Sequence, residues 1–287
     1  MLHIPIYQID AFTHVPFKGN PAAVCALEAP LPARLMQAIA AEMNLSETAF
    51  FWPEGKTPNS YRIRFFTPSH EVNLCGHATL ATTKVLSQRA FSSKAPFEFE
   101  ANEARLMAQP QGNWIQLDFP QYGCVPAPRL PDTFWEALTI TNVREAAYSP
   151  ALKMILIEVG EGKELLDAEP DFAALKSMEL PIAVEGVICS SHDTLALPGR
   201  ATYDFMSRCF FPWIGINEDP VTGAAHTLLG PYWAEKLQST QLHAYQASAR
   251  GGEMKLELAA NGRMFLRGQA CLVMQGELRL DIPNDLE

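Results

Sequence analysis

One short pattern occurs twice in this chain, and the duplication limits the possible folds more than any other feature. Arg64-x-Phe66-x-Pro68 precedes Gly76 in Leu74-Cys75-Gly76-His77-Ala78-Thr79-Leu80-Ala81. Arg208-x-Phe210-x-Pro212 precedes Gly223 in Asp219-Pro220-Val221-Thr222-Gly223-Ala224-Ala225-His226. Each glycine opens a run that reads as a helix, over residues 78–86 and 224–237. The chain therefore carries one strand–loop–glycine–helix unit in each half. This predicts an active site between the two copies.

With 287 residues the chain has room for two domains. The segment 120–131 holds four of the 22 prolines in twelve residues, a stiff linker composition. It places the boundary so that residues 1–120 form one domain and 121–287 the other, with a return of the last strand to the first domain as the variant to look for. The formal net charge is −10, and lysines and arginines are scattered singly, which argues against nucleic-acid or anionic-membrane partners. An anionic ligand would have to be held by local dipoles. Six cysteines without C-x-x-C or metal-like spacing point to reduced thiols, a cytoplasmic location and no structural zinc. No secretory signal and no membrane-length apolar run is visible.

Between these landmarks the pattern is rich in strands. Residues 4–12 and 61–66 read as strands, and 32–43 reads as a helix with an early proline and a stop at Asn44. Strands follow at 96–100, 105–109 and 114–119, the last two joined by a turn at Gln111-Gly112-Asn113. In the second half, 132–138 and 170–178 read as helices, and 153–159, 186–190 and 203–210 as strands. Short strands then run from 242 to 280, with turns at Asn261-Gly262 and Gln275-Gly276. Many antiparallel strands with one buried helix per half make an α+β protein. No dinucleotide, Walker, zinc-protease or serine-hydrolase motif occurs.

A glycine at a helix start lets an anion approach N–H groups that no helix carbonyl uses, where the macrodipole adds roughly half a positive charge. Two such ends would hold a small carboxylate. Acids and bases nearby could then move a proton on the adjacent carbon. His77 stands at one helix start and Asp219 just before the other, while Glu47 enters an apolar strand where an ionised carboxylate is costly unless paired or useful. Each has a bland reading beside the functional one. Asn20 could be a turn residue, Glu47 an exposed strand residue, and Asp219 a capping residue. His77 could be a half-buried helix-start histidine, and Cys75 a small packed side chain. His226 reads as packing.

At these residues the chain resembles the PhzF-like (phenazine-biosynthesis) isomerase family, within the diaminopimelate-epimerase-like fold. The matching pieces run in order over most of the chain: Asp10-Ala-Phe-Thr13, Gly19-Asn20-Pro21-Ala22, Ser46-Glu47-Thr48-Ala49-Phe50, residues 64–68, Cys75-Gly-His-Ala-Thr79, Asp204-Phe-Met-Ser-Arg-Cys-Phe210 and Glu218-Asp-Pro-Val-Thr-Gly223. The resemblance implies two similar domains, each a curled, mostly antiparallel sheet around a central helix. It also implies a cofactor-free, homodimeric enzyme acting on a small carboxylate-bearing metabolite. By the same resemblance, Glu47 is the proton-transfer residue, His77 and Asp219 assist it, and Asn20, Cys75, Gly76, Thr222, Gly223 and Ala224 contact the substrate, with no metal. Two departures bear on the substrate: Ala224 stands where some relatives carry serine, and Ala249-Arg250-Gly251-Gly252 where many carry Gly-Arg-Pro. The related epimerases use two facing thiols. Here the second unit has no cysteine from Asp219 to Ala225, so a one-base transfer by Glu47 is expected. The alternatives are a non-catalytic anion-binding protein of this fold and a Cys75-dependent epimerase or dehydratase.

Overall fold

The structure is a computed structural model that describes residues 1–55, 58–89, 95–102, 104–195, 197 and 202–281. The chain divides into two compact units, Met1–Phe119 with Phe265–Glu287, and Pro120–Met264.

The first unit opens with strands β1 (Leu2–Ala11) and β2 (Asn20–Ala26), which pair antiparallel. Helix α1 (Ala33–Met43) then crosses to β3 (Glu47–Pro53), which lies parallel to β2. A parallel neighbour needs such a crossover, because a tight turn only reverses the chain. The α1 helix buries Leu35, Met36, Ile39 and Ala40, and it stops where Asn44 takes φ 49°, the left-handed conformation asparagine tolerates. Strand β4 (Ser60–Phe66) returns antiparallel to β3, with β5 (Glu71–Val72) beside it. Helix α2 (Gly76–Arg89) crosses to β6 (Phe97–Glu100), parallel to β4. Two antiparallel strands follow, β7 (Arg105–Gln111) and β8 (Trp114–Pro120). The α2 helix packs on β1, β2, β3 and β7, and its Ala78, Leu80, Ala81 and Val85 are buried. Its hydrophobic side is broad because strands surround it.

The second unit starts with β9 (Val125–Pro126), α3 (Asp132–Leu138) and β10 (Val143–Ser149). Strand β11 (Met154–Val159) pairs antiparallel with β10, and the short helices α4 (Gly162–Asp167) and α5 (Phe172–Ser177) cross to β12 (Gly186–Ser191), parallel to β11. Strand β13 (Phe205–Phe210) returns antiparallel, and α6 (Gly223–Leu237) crosses to β14 (Gln241–Gln246), parallel to β13. Strand β15 (Gly252–Leu258) pairs antiparallel with β14. The order parallel, antiparallel, parallel, antiparallel thus runs through β2–β3–β4–β6–β7 and again through β11–β12–β13–β14–β15. The duplicated sequence pattern is one turn of this repeated topology, and the class is α+β.

Two strands close the chain, β16 (Arg263–Gly268) and β17 (Ala270–Leu280). One sequence expectation fails here. Gln275-Gly276 is not a turn, because β17 runs unbroken across it, with Gly276 opposite Ile6 of β1. A ten-residue partner strand outweighs the local preference of glycine for a turn. Asn261-Gly262 does turn, and Gly262 takes φ 74°. The sequence reading also missed β10 and α4. Among the described residues, no helix is long and apolar enough to cross a membrane.

Candidate active site

The first unit brings three predicted residues together. Glu47 begins β3, immediately after α1, and Cys75 and His77 flank Gly76 at the start of α2. His77 Nε2 lies 3.1 Å from Glu47 Oε2, with the two side chains 9% and 15% exposed. Cys75 Sγ lies 3.4 Å from Nδ1 and 3.9 Å from Nε2 of the same ring. Cys75 is itself fixed by its carbonyl, which accepts from Thr79 N (3.1 Å) and Thr79 Oγ1 (2.7 Å). Burial, and then the nearby Glu47 carboxylate, push the Cys75 thiol up, against the smaller opposing pull of His77 and the Ala78 N–H. Burial alone would lower His77, but Cys75 and Glu47 together raise it well above its ordinary value.

The three donor atoms also lie within 4.8 Å of one another, close enough to raise the question of a metal. The same ring nitrogen, Nε2, lies 3.1 Å from the Glu47 carboxylate and 3.9 Å from the Cys75 sulfur, so acid, imidazole and thiol form one cluster around it.

Asn20, the first residue of β2, is fully buried. It precedes by two residues Ala22, the partner of Glu47, so 20 and 22 share a face of β2. The loop before it is tightly held. Asp10, 1% exposed, accepts the Phe17 N–H at 2.6 Å, and a Cβ on Gly19 (φ 65°) would lie 2.1 Å from the Ala11 carbonyl oxygen. Asp10 is a buried carboxylate that the sequence reading quoted but gave no role. Gly76 is different: its φ is ordinary, and a Cβ there would sit 3.4 Å from the Phe119 ring, normal contact. Backbone strain therefore does not explain Gly76, whereas ligand approach to the helix start would.

In the second unit, the Asp219 carboxylate accepts the Thr222 hydroxyl, and Gln246 Nε2 donates to the Asp219 carbonyl at 2.8 Å. Gln246 Oε1 accepts the Thr222 N–H, also at 2.8 Å. Asp219 and Thr222 are thus built into one network ahead of Gly223 and Ala224, where α6 begins. The helix N-cap is Thr222, whose hydroxyl is turned to Asp219 and whose own N–H is taken by Gln246. Gln246 is the residue that sequence reasoning passed over. Its signal was present: in β14, Leu242, Ala244 and Gln246 are the buried alternation, and a polar side chain on that face needs partners.

The repeated arginines do the same work twice. Arg64 grips Glu71 through Nε–Oε1 (2.7 Å) and Nη2–Oε2 (2.6 Å), its guanidinium 5.1 Å over Phe66. Arg208 grips Glu218 at 2.8 and 3.0 Å, 5.0 Å over Phe210. Arg208 also donates to the carbonyls of Leu165, Leu166 and Ala168, the unsatisfied end of α4. The Arg64 bonds hold Glu71 below its usual range. These pairs brace the loops ahead of the glycines.

An acid and an imidazole that meet beside a helix start can pass a proton, which is what an isomerase or epimerase class of site requires. The comparisons place the chain within that class. The model of the phenazine biosynthesis-like protein family matches residues 9–276, and the chain belongs to that family, the PhzF family. An uncharacterised isomerase of Halalkalibacterium halodurans is 43% identical over 282 residues, 98% of this chain and 100% of the relative. The crystal structure of a PhzF-family phenazine biosynthesis protein from Enterococcus faecalis superposes with a TM-score of 0.87 at 39% identity, covering 97% of this chain and 100% of that one. A probable proline racemase from Agrobacterium radiobacter, 10% identical, shares the fold alone, with a TM-score of 0.64 over 97% of this chain and 93% of that one.

Proposed function

We propose that this protein is a cofactor-independent isomerase that moves a proton on a small carboxylate-bearing metabolite, with Glu47 as the single general acid/base. The observation that carries the proposal is the largely buried Glu47 carboxylate 3.1 Å from His77 Nε2 at the start of α2. The substrate carboxylate is held at the N–H groups of that helix start, beside Gly76. Glu47 takes a proton from a neighbouring carbon, and the C–H electron pair shifts into the adjacent π system. The same carboxyl then returns the proton to a second carbon, leaving the acid as it began. His77 beside it stabilises the carboxylate form in which Glu47 starts and ends the cycle. General acid–base catalysis of this kind contributes about 10²–10⁴ in rate.

Asp219 enters the proposal on the family resemblance, as a substrate-orienting residue. The two-thiol alternative is not favoured, since Thr222 occupies the position before the second helix glycine that Cys75 occupies before the first. The test is solvent-deuterium incorporation into small cyclic and amino-bearing carboxylates, followed by NMR. Wild type should exchange one of them and Glu47→Gln should not. Exchange that survives in Glu47→Gln refutes the assignment.

A further inference from the structure

The second unit carries a polar device that the first lacks. Gln246, on β14, is fully buried, Thr222 is 9% exposed, and Asp219 is half-buried. Backbone chemistry fixes the direction of each bond among them. Gln246 Oε1 meets the Thr222 N–H, which can only donate, and Nε2 meets the Asp219 carbonyl, which can only accept. The amide therefore has one orientation. Nε2 also lies 3.2 Å from Thr222 Oγ1, so that oxygen accepts from it, and the hydroxyl hydrogen is left for the Asp219 carboxylate. The Asp219 backbone is tied on both sides, its N–H to the Cys209 carbonyl at 3.0 Å and its own carbonyl to Gln246.

The repeat shows what this network is not for. Counted back from the helix glycines, Asp219 and Thr222 match Val72 and Cys75. Tyr61 and Phe205 each stand three residues before the repeated arginine, and they pair with Phe99 and Ala244. Two residues further along those partner strands, Gln246 therefore matches Ala101. Helix α2 starts with none of the three residues, so a helix start in this fold does not require them. Resting on the reading of Asp219 as a substrate-orienting residue, we propose that Gln246 is a positioning residue: through Thr222 it holds the Asp219 carboxylate in one place and keeps it a hydrogen-bond acceptor, suited to an N–H or O–H group of the substrate.

The test uses the whole protein with ¹³C-labelled aspartate and ¹⁵N-labelled glutamine side chains, assigning Asp219 and Gln246 by the signals lost in Asp219→Asn and Gln246→Glu. In wild type, both Gln246 amide hydrogens should be resolved and slow to exchange with heavy water. A pair that exchanges like free glutamine overturns the proposal without any variant. Gln246→Glu keeps an acceptor for the Thr222 N–H but removes both donors, so the Thr222 hydroxyl should turn to the new carboxylate and the Asp219 carboxyl signal should shift. Thr222→Val should shift the same signal, and Thr222→Ser should restore it. In deuterium exchange of the carboxylate that wild type exchanges, Gln246→Glu should lose about 10–10²-fold, in kcat more than in KM. It should lose nothing further in the Asp219→Asn background. A folded Gln246→Glu with an unmoved Asp219 signal overturns the proposal, and so does a loss that adds to that of Asp219→Asn. A folded Thr222→Ser that behaves like Thr222→Val overturns it too. Exchange that survives in Asp219→Asn overturns the reading on which the proposal rests, while the carboxyl signal, which needs no substrate, tests the hold of Gln246 by itself.

Discussion

Glu47 starts the strand that follows the first crossover helix, and at the matching register of the second unit stands Gly186. The registers Thr48↔Phe66 and Val187↔Phe210 make this equivalence, given that Arg64-x-Phe66 and Arg208-x-Phe210 are the same motif. A side chain at Gly186 would meet the Phe211 ring at 2.3 Å, so the second unit has no room for an acid there. His77 becomes Ala224, and Cys75 becomes Thr222. The scaffold, in contrast, is kept down to single bonds. Thr79 Oγ1 donates to the carbonyl four residues back, and His226 Nδ1, at the matching position, engages the carbonyl of Thr222 in the same way at 2.8 Å. The repeat preserves what builds a helix start and varies what stands on it. Acid, imidazole and thiol were assembled in one copy only.

The largest effect that could break this comparison is catalytic. Glu47→Gln should lower deuterium exchange by about 10²–10⁴. Loss of the brace comes next. Arg208→Ala removes a bidentate, 12% exposed ion pair and three carbonyl partners, and should cost about 3–5 kcal/mol in urea unfolding. Arg64→Ala, more exposed and without the carbonyls, should cost about 1–3 kcal/mol. Equal costs would mean that the second brace does no more than the first.

The two histidines predict opposite pH dependences. His226 is fully buried and stacked on Phe205, and burial lowers it from 6.5 to about 4. It stays neutral in the fold while the unfolded chain takes up protons. Its effect on stability is therefore absent above pH 6.5 and grows unfavourable as pH falls to about 4, reaching about 3 kcal/mol. His226→Thr, which installs the residue type of position 79, should flatten that acid limb in unfolding measured across pH. His77 is raised, so its contribution is fully present below 6.5 and is lost as pH rises through its folded value; His77→Gln should flatten the opposite limb. The smallest effect is Gly76→Ala. With ordinary φ and a 3.4 Å contact, it should stabilise by about 0.4–1 kcal/mol while still reducing exchange, separating ligand approach from backbone need.

Much of this was legible in the sequence, because duplication and periodicity are local. The helix of residues 33–43, its stop at Asn44 and the helix starting at Gly223 follow from spacing and capping chemistry. The misreadings fall where a distant partner decides. Gly276 turns no corner because β1 holds β17 straight. Asp10 and Gln246 looked unremarkable until their partners, seven residues and more than twenty residues away, were in place.

By itself the sequence determined that the chain is built twice from one strand–loop–helix unit, and it nominated Glu47, His77 and Cys75 by residue type. Only the tertiary structure decided that these three form one cluster, their donor atoms within 4.8 Å of one another. Residues 47 and 75 lie far apart in the chain, and no helical or strand period relates them. What joins them is the register of β3 against its neighbours and the packing of α2 among the strands, and both are set by burial of the whole unit.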